Sequence, residues 1–223
     1  SAKIISTIAS IIEVNKQALT SHTKGGGLMQ TAHGNVLAGP DAVECREKED
    51  FSTRPESIRT IGKYAFHNCE SMKTLSIPEG VEAIEEYTFN NCASLASLQL
   101  PSTLKTIGAY SLFGCSALQE LVLPSSVNKL GEYAFANCSS LTSVEIPAGV
   151  TSIGSYAFNY CSSLTEIRIP DAVTSIGSGA FDYNTALKDV TFEAGATISN
   201  GAFSYGAGET VTFKGDATVS NSA

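Results

Sequence analysis

The sequence predicts a repeat solenoid, a coil of short parallel strands closed by turns, with a small helical cap on its N-terminal side. Three observations predict it. Cys69, Cys92, Cys115, Cys138 and Cys161 stand 23 residues apart, and only Cys45 lies off that ladder. Pro78, Pro101, Pro124, Pro147 and Pro170 keep the same step, as do Tyr64, Tyr87, Tyr110, Tyr133 and Tyr156. An aromatic column joins them at Phe66, Phe89, Phe135, Phe158 and Phe181, with Leu112 once in its place. A fixed period of this length marks stacked supersecondary units, none of which buries its apolar side alone.

Each unit splits into two short apolar pieces. In the coil starting at Val150, Leu164, Ile167 and Ile169 alternate at their end with the period of a strand. Pro170 closes that piece, because proline has no N–H to give a continuing ladder. Val150 and Ile153 form the second, shorter piece, closed by Gly154. Between the two pieces, Tyr156-Ala157-Phe158 reads as a tight turn or a single helical turn that drops Phe158 into the core. Stacking at about 4.8 Å turns the phenylalanines into one internal column.

The cysteine ladder fits the same geometry. One repeat beyond Cys161, Asn184 takes its place. An inward Asn at a turn satisfies backbone groups, and a thiol fills similar space as a weak donor. Stacked Cβ atoms about 4.8 Å apart exceed the roughly 3.8 Å of a disulfide, so buried free thiols are expected. Cys45 pairs with Cys69 or stays free; spacing does not choose between them.

The array is expected over residues 57–223: about six full repeats and a shortened last one. Ala196-Thr-Ile-Ser-Asn-Gly-Ala202 returns 21 residues later as Ala217-Thr-Val-Ser-Asn-Ser-Ala223. Residues 1–56 are expected to form an irregular cap. Ile4, Ile5, Ile8, Ile11 and Ile12 follow helical spacing, predicting an amphipathic helix from Ala2 to Leu19 that covers the first coil. Gly25-Gly26-Gly27 is a loop without the Lys-Ser/Thr of a phosphate cradle, and residues 44–50 are a charged helix or loop. With Ser1 at the start and no polar cap at the end, the chain reads as a fragment or processed product of a longer array.

These repeats resemble the BspA-type, or Treponema pallidum-type, leucine-rich repeat. The run from Gly131 to Phe181 carries the likeness, in the pattern IP..V.SIG..AF..C.SL..I.IP, and it extends over roughly Ile58 to Phe213. The resemblance implies a right-handed coil with parallel strands on the concave face and short strands and turns on the other. It also implies a secreted or surface-anchored protein engaged in adhesion, with a protein or extracellular-matrix ligand.

The chemistry-bearing residues argue against catalysis. His22, His33, Cys45 and His67 lack the tight spacing of a metal site, the ladder cysteines read as structural, and no carboxylate pair recurs. No catalytic residue, metal or cofactor is therefore predicted. A net charge of -8, with no basic run, excludes nucleic acid as an expected partner, and no apolar run is long enough to span a bilayer. The expected activity is binding through residues that alternate outward on the longer strands: Lys73, Gln99, Gln119, Glu120, Glu145, Glu166, Arg168, Lys188 and Asp189. Around them stand Thr74, Ser76, Ala96, Ser97, Val122, Thr142, Ser143, Thr165 and Thr191. These positions vary while the framework does not. Tyr160, Tyr183 and Tyr205 make a second candidate row, or pack over the turns. The rival expectation is a structural subunit that contacts a larger assembly through residues 1–56 and its C-terminal end. Asn137-Cys138-Ser139 matches a glycosylation acceptor, with its central cysteine expected in the core.

Overall fold

The computed structural model describes residues 28–30, 36–38, 59–206 and 210–220. The expected helix over Ala2–Leu19, the triple-glycine loop, Cys45, His22 and His33 lie outside them. Within the first 56 residues, β1 (Leu28–Gln30) and β2 (Val36–Ala38) pair antiparallel, with Met29 opposite Leu37.

From Thr60 onward the chain winds through about seven turns of a parallel β-solenoid. Two strands belong to each turn. The shorter set is β3 (Thr60–Ile61), β5 (Ala83–Ile84), β7 (Thr106–Ile107), β9 (Lys129–Leu130), β11 (Ser152–Ile153), β13 (Ser175–Ile176), β15 (Thr197–Ile198) and β17 (Thr218–Val219). All eight join in one parallel sheet in chain order. The second set is β4 (Thr74–Ser76), β6 (Ser97–Gln99), β8 (Glu120–Leu121), β10 (Ser143–Val144), β12 (Glu166–Ile169), β14 (Asp189–Phe192) and β16 (Thr210–Phe213). These pair as β4 with β6, β8 with β10, and β12 through β14 to β16. Register follows the sequence period: Thr60 faces Ala83 and Glu166 faces Asp189. The last coils shorten as the repeat does, with Ser175 facing Thr197 and Thr197 facing Thr218.

Proline removes one hydrogen-bond donor at the end of the second face. Where Pro170 stands, β12 ends at Ile169. One coil later Glu193 holds the proline position, and its N–H donates to Ile169 O at 2.9 Å. The ladder there runs a residue further than proline permits.

The turn after each short strand carries the closure. Tyr64, Tyr87, Tyr110, Tyr133 and Tyr156 all sit at left-handed φ, between 53° and 60°. Four residues on, Asn68, Asn91, Gly114, Asn137 and Tyr160 are also left-handed, at φ between 56° and 74°. This alternation points every second N–H along the solenoid axis. Tyr133, Phe135 and Asn137 thereby donate to Ser155, Ala157 and Asn159 of the next coil, at 3.0, 2.8 and 2.8 Å. The turn is thus bonded coil to coil, and the aromatic between the two left-handed residues points inward.

That aromatic column is the core. Phe89, Phe135, Phe158 and Phe181 are fully buried, and Phe135, Phe158 and Phe181 stack at 5.0 and 5.4 Å. Beside it runs the cysteine ladder. Cys92, Cys115, Cys138 and Cys161 are buried free thiols. Each Sγ donates to the backbone carbonyl three positions before the preceding ladder cysteine, as Cys161 does to Phe135 O at 3.2 Å. Asn184 makes the same bond through Nδ2 to Phe158 O at 3.0 Å. The expected equivalence of Cys and Asn is observed. Gly131 marks a close approach: a Cβ there would lie 2.4 Å from Ala109 N.

Candidate functional site

The second strand set presents alternate residues to solvent because those between them fill the core. Leu98, Leu121, Val144, Ile167 and Val190 are buried, while Lys73, Gln99, Gln119, Glu120, Glu145, Glu166, Arg168, Lys188 and Asp189 are all exposed. Strand register arranges them in files along the axis. Glu120 faces Ser143, Glu166 faces Asp189, and Arg168 faces Thr191. The Glu166–Asp189 pair sets two carboxylates side by side on neighbouring strands, a placement that costs stability.

The predicted residues divide into two groups. Gln99, Gln119 and Glu120 converge where the β6 and β8 ladders are not joined. They line an open cleft of about 680 Å³ together with Ser97, Ser102 and Val122. Val122, 82% exposed, stands at its border, in the file where neighbouring coils place Gln99 and Glu145. The lining is mixed, with Glu79, Gln99, Gln119 and Glu120 beside Leu100, Val122 and Pro124, the mixture that orients a ligand and desolvates it. Lys73, on the N-terminal side, and Glu145, Glu166, Arg168, Lys188 and Asp189, on the C-terminal side, do not line the cleft. Arg168 leans sideways into an ion pair, its Nε 2.6 Å from Glu193, which Lys214 also holds at 2.8 Å. These two cations hold the Glu193 carboxyl below its usual range, the Lys214 hydrogen bond contributing most. The sequence reading missed Glu193. Its signal was the loss of proline from an otherwise constant position.

The remaining chemistry is structural. Burial pushes the Cys115 and Cys161 thiols up to about 12, which makes them poor nucleophiles. His67 packs edge-on against Tyr64, at 5.6 Å between rings. Among the described residues no group of three or more His, Cys, Asp or Glu is placed to hold a metal ion, and no helix is long and apolar enough to cross a membrane.

The tyrosines form a second surface. Tyr160, Tyr183 and Tyr205 stack at 4.3 and 4.6 Å, on the side of the turns. The other five tyrosines make a longer row, Tyr64 through Tyr156, stacked at 4.5 to 5.0 Å. The sequence reading saw this second row only as a repeat. Its signal was the company it keeps: Gly179 and Gly201 take the first tyrosine position in later coils, and Asn68, Asn91, Gly114 and Asn137 take the second in earlier ones. At Gly179 a Cβ would lie 2.3 Å from the Tyr156 ring, so one row ends where the other has begun. A left-handed tyrosine costs about 1–2 kcal/mol. Ring stacking returns roughly 0.5–1.5 kcal/mol per pair, so the two nearly cancel.

The comparisons with known proteins agree with this architecture. The BspA type leucine rich repeat region, in six copies, matches residues 44–131 and 114–223. A solved leucine-rich repeat protein of T. pallidum is 29% identical with a TM-score of 0.61; the match covers 65% of this chain and 70% of that one. One from Eubacterium ventriosum is 30% identical, TM-score 0.54, over 60% of this chain and 36% of that one. A Bacteroides ovatus leucine-rich repeat protein shares the fold at 22% identity, TM-score 0.57, over 84% of this chain and 57% of that one. No curated protein matches the sequence. With its repeats matched over most of its length, the chain belongs to the BspA-type leucine-rich repeat family.

Proposed function

We propose that this protein is a non-enzymatic binding module that presents its longer-strand face to a protein or extracellular-matrix ligand, outside the cell or on its surface. One observation carries the reading. Along that face one outward file reads Ser76, Gln99, Val122, Glu145, Arg168 and Thr191, while the file beside it holds Leu75, Leu98, Leu121, Val144, Ile167 and Val190, all buried. A scaffold held fixed beneath a variable, solvent-facing surface is the arrangement of a recognition module. The cleft at Gln99, Gln119 and Glu120 is its focus, with the exposed Val122 as an apolar contact beside these polar groups. Lys73, Glu145, Glu166, Arg168, Lys188 and Asp189 extend the contact along the axis. Membership of this repeat family supports both the interaction role and the surface location.

The test uses the full chain immobilised against a panel of purified matrix proteins. Glu145→Ala with Arg168→Ala, and Gln119→Ala with Glu120→Ala, weaken capture at least tenfold if the strand face is the contact. Unchanged capture by both variants, with loss on deleting residues 1–56, instead supports a subunit that assembles through its N-terminal segment.

A further inference from the structure

On the side of the shorter strands the array pairs charges across neighbouring coils. Glu82 lies between Arg59 and Lys105, and Lys63 holds Glu86 at 2.8 Å. The centre of the longer-strand face is different. Glu120 and Glu145 are exposed, sit on neighbouring coils and take part in no ion pair among the described residues. Glu79, which lines the same cleft as Glu120, is held by a neutral partner: Ser102 donates to it through its N–H at 3.0 Å and its Oγ at 2.9 Å.

The cations of this face stand outside its centre. Lys73 lies two coils before Gln119 in its file, about 10 Å along the axis at the usual strand spacing. Arg168 is drawn into Glu193, and Lys188 stands beside Asp189. Lys105 and Lys129 lie at the shorter strands, on the other sheet. The segments 74–78, 96–101, 119–124, 142–147 and 165–166, which make this face up to the arginine, therefore hold Glu120, Glu145 and Glu166 and no Lys, Arg or His. Uncompensated like charges on neighbouring strands cost stability, and elsewhere the same array compensates them. Among the described residues no three His, Cys, Asp or Glu are placed to share a metal ion, so one small cation does not answer these carboxylates.

Resting on the strand-face reading above, we propose that the ligand docks there through a Lys- or Arg-bearing segment of a protein, laid along the solenoid axis over the cleft. Charge complementarity selects this occupant. Several cations on one flexible segment reach Glu120, Glu145 and Glu166 on three successive coils, which a single ion cannot do. The apolar stems of Lys and Arg cover Val122, which is 82% exposed and lies in the same file as Glu145. The side-chain amides of Gln99 and Gln119 both donate and accept, and so serve the backbone of such a segment. An acidic segment meets repulsion at every one of these coils, and a neutral one leaves the carboxylates uncompensated.

The experiment measures fluorescence anisotropy of labelled peptides of one length, alternating Ser with Lys, with Gln or with Glu, against the full chain at low and high salt. Two isosteric variants are compared, with melting temperatures recorded. Glu120→Gln/Glu145→Gln removes two charges from the face, and Glu70→Gln/Glu132→Gln removes two exposed charges from the turns. The Lys peptide is expected to bind and the Gln and Glu peptides not to, with affinity falling at high salt. The face variant is expected to weaken binding about tenfold and the turn variant less than twofold. No binding of the Lys peptide overturns the proposal. So does equal weakening by the two variants, which would make the effect one of net charge alone. The matrix protein captured by the parent chain is then offered to the same variants. If Glu120→Gln/Glu145→Gln captures it like the parent while Gln119→Ala/Glu120→Ala does not, the face is the contact and the basic segment is wrong. If both capture it like the parent, the strand-face reading fails as well.

Discussion

Ser111 shows how tightly a single atom is constrained in this array. It is fully buried, and its Oγ has no hydrogen-bond partner. The equivalent position is Ala65, Ala134, Ala157, Ala180 and Ala202 in other coils. Thr88 also holds a hydroxyl there, but it donates to Gly62 O at 3.0 Å and Glu85 O at 2.9 Å. An unpaired buried hydroxyl costs about 1–3 kcal/mol, so Ser111→Ala is expected to raise stability by about 1 kcal/mol in chemical denaturation. A drop instead would mean that the hydroxyl has a partner. Gly131 gives the opposite case. A methyl group there meets the backbone of the preceding coil at 2.4 Å, which cannot rotate away. Gly131→Ala is expected to destabilise by about 1–3 kcal/mol, measured the same way. At this scale the sequence was informative wherever a position repeats: Asn184 replacing a cysteine foretold a shared hydrogen bond to the Phe carbonyl column. It was silent on Ser111, because periodicity shows which residue is unusual and not whether its hydroxyl is satisfied.

The elements are columns that cross coils, and each column has its own physics. Phe158 stacks between Phe135 and Phe181 and is fully buried, so Phe158→Ala is expected to cost about 3–5 kcal/mol. The cysteine column makes stability depend on pH in a defined direction. Burial raises the Cys115 and Cys161 thiols from the ordinary 9.0 to about 12. The unfolded chain therefore loses these protons first as pH rises, and ionisation then favours unfolding. The contribution is complete below about pH 9 and is lost between there and about pH 12. The urea midpoint is expected to fall across that window, and to fall less in Cys115→Ala/Cys161→Ala. The same burial predicts that Cys92, Cys115, Cys138 and Cys161 resist maleimide in the native protein and label fully after unfolding without reductant. Loss of proline at Glu193 is the element-scale counterpart. Glu193→Pro removes the hydrogen bond to Ile169 and both ion pairs, with an expected cost of about 1–3 kcal/mol. The two strand sets and the phenylalanine column were legible because alternation and the 23-residue period act together. The left-handed tyrosines were not, since tyrosine is an uncommon occupant of that region and gives no local cue.

At the scale of the molecule, the solenoid separates what holds it together from what it shows to solvent. Repetition fixes the interior, where each coil must match the next, and leaves the outward files free to differ. That separation made the fold readable from the period alone and placed the outward residues correctly. The cleft was not readable. It lies where β6 and β8 are not joined in a ladder, a break in pairing that the side-chain pattern does not carry. Nor was the handover of one tyrosine row to the other, which depends on Gly179 lying beneath the Tyr156 ring. On the proposed function, the variable strand face, centred on this cleft, is where the protein meets its ligand. The most direct measurement is the affinity of the full chain and of its Gln99→Ala/Gln119→Ala/Glu120→Ala variant for a matrix protein that the parent chain captures, with melting temperatures recorded for both. At least a tenfold loss of affinity is expected, with the melting temperature unchanged. Equal affinity of a folded variant would contradict it.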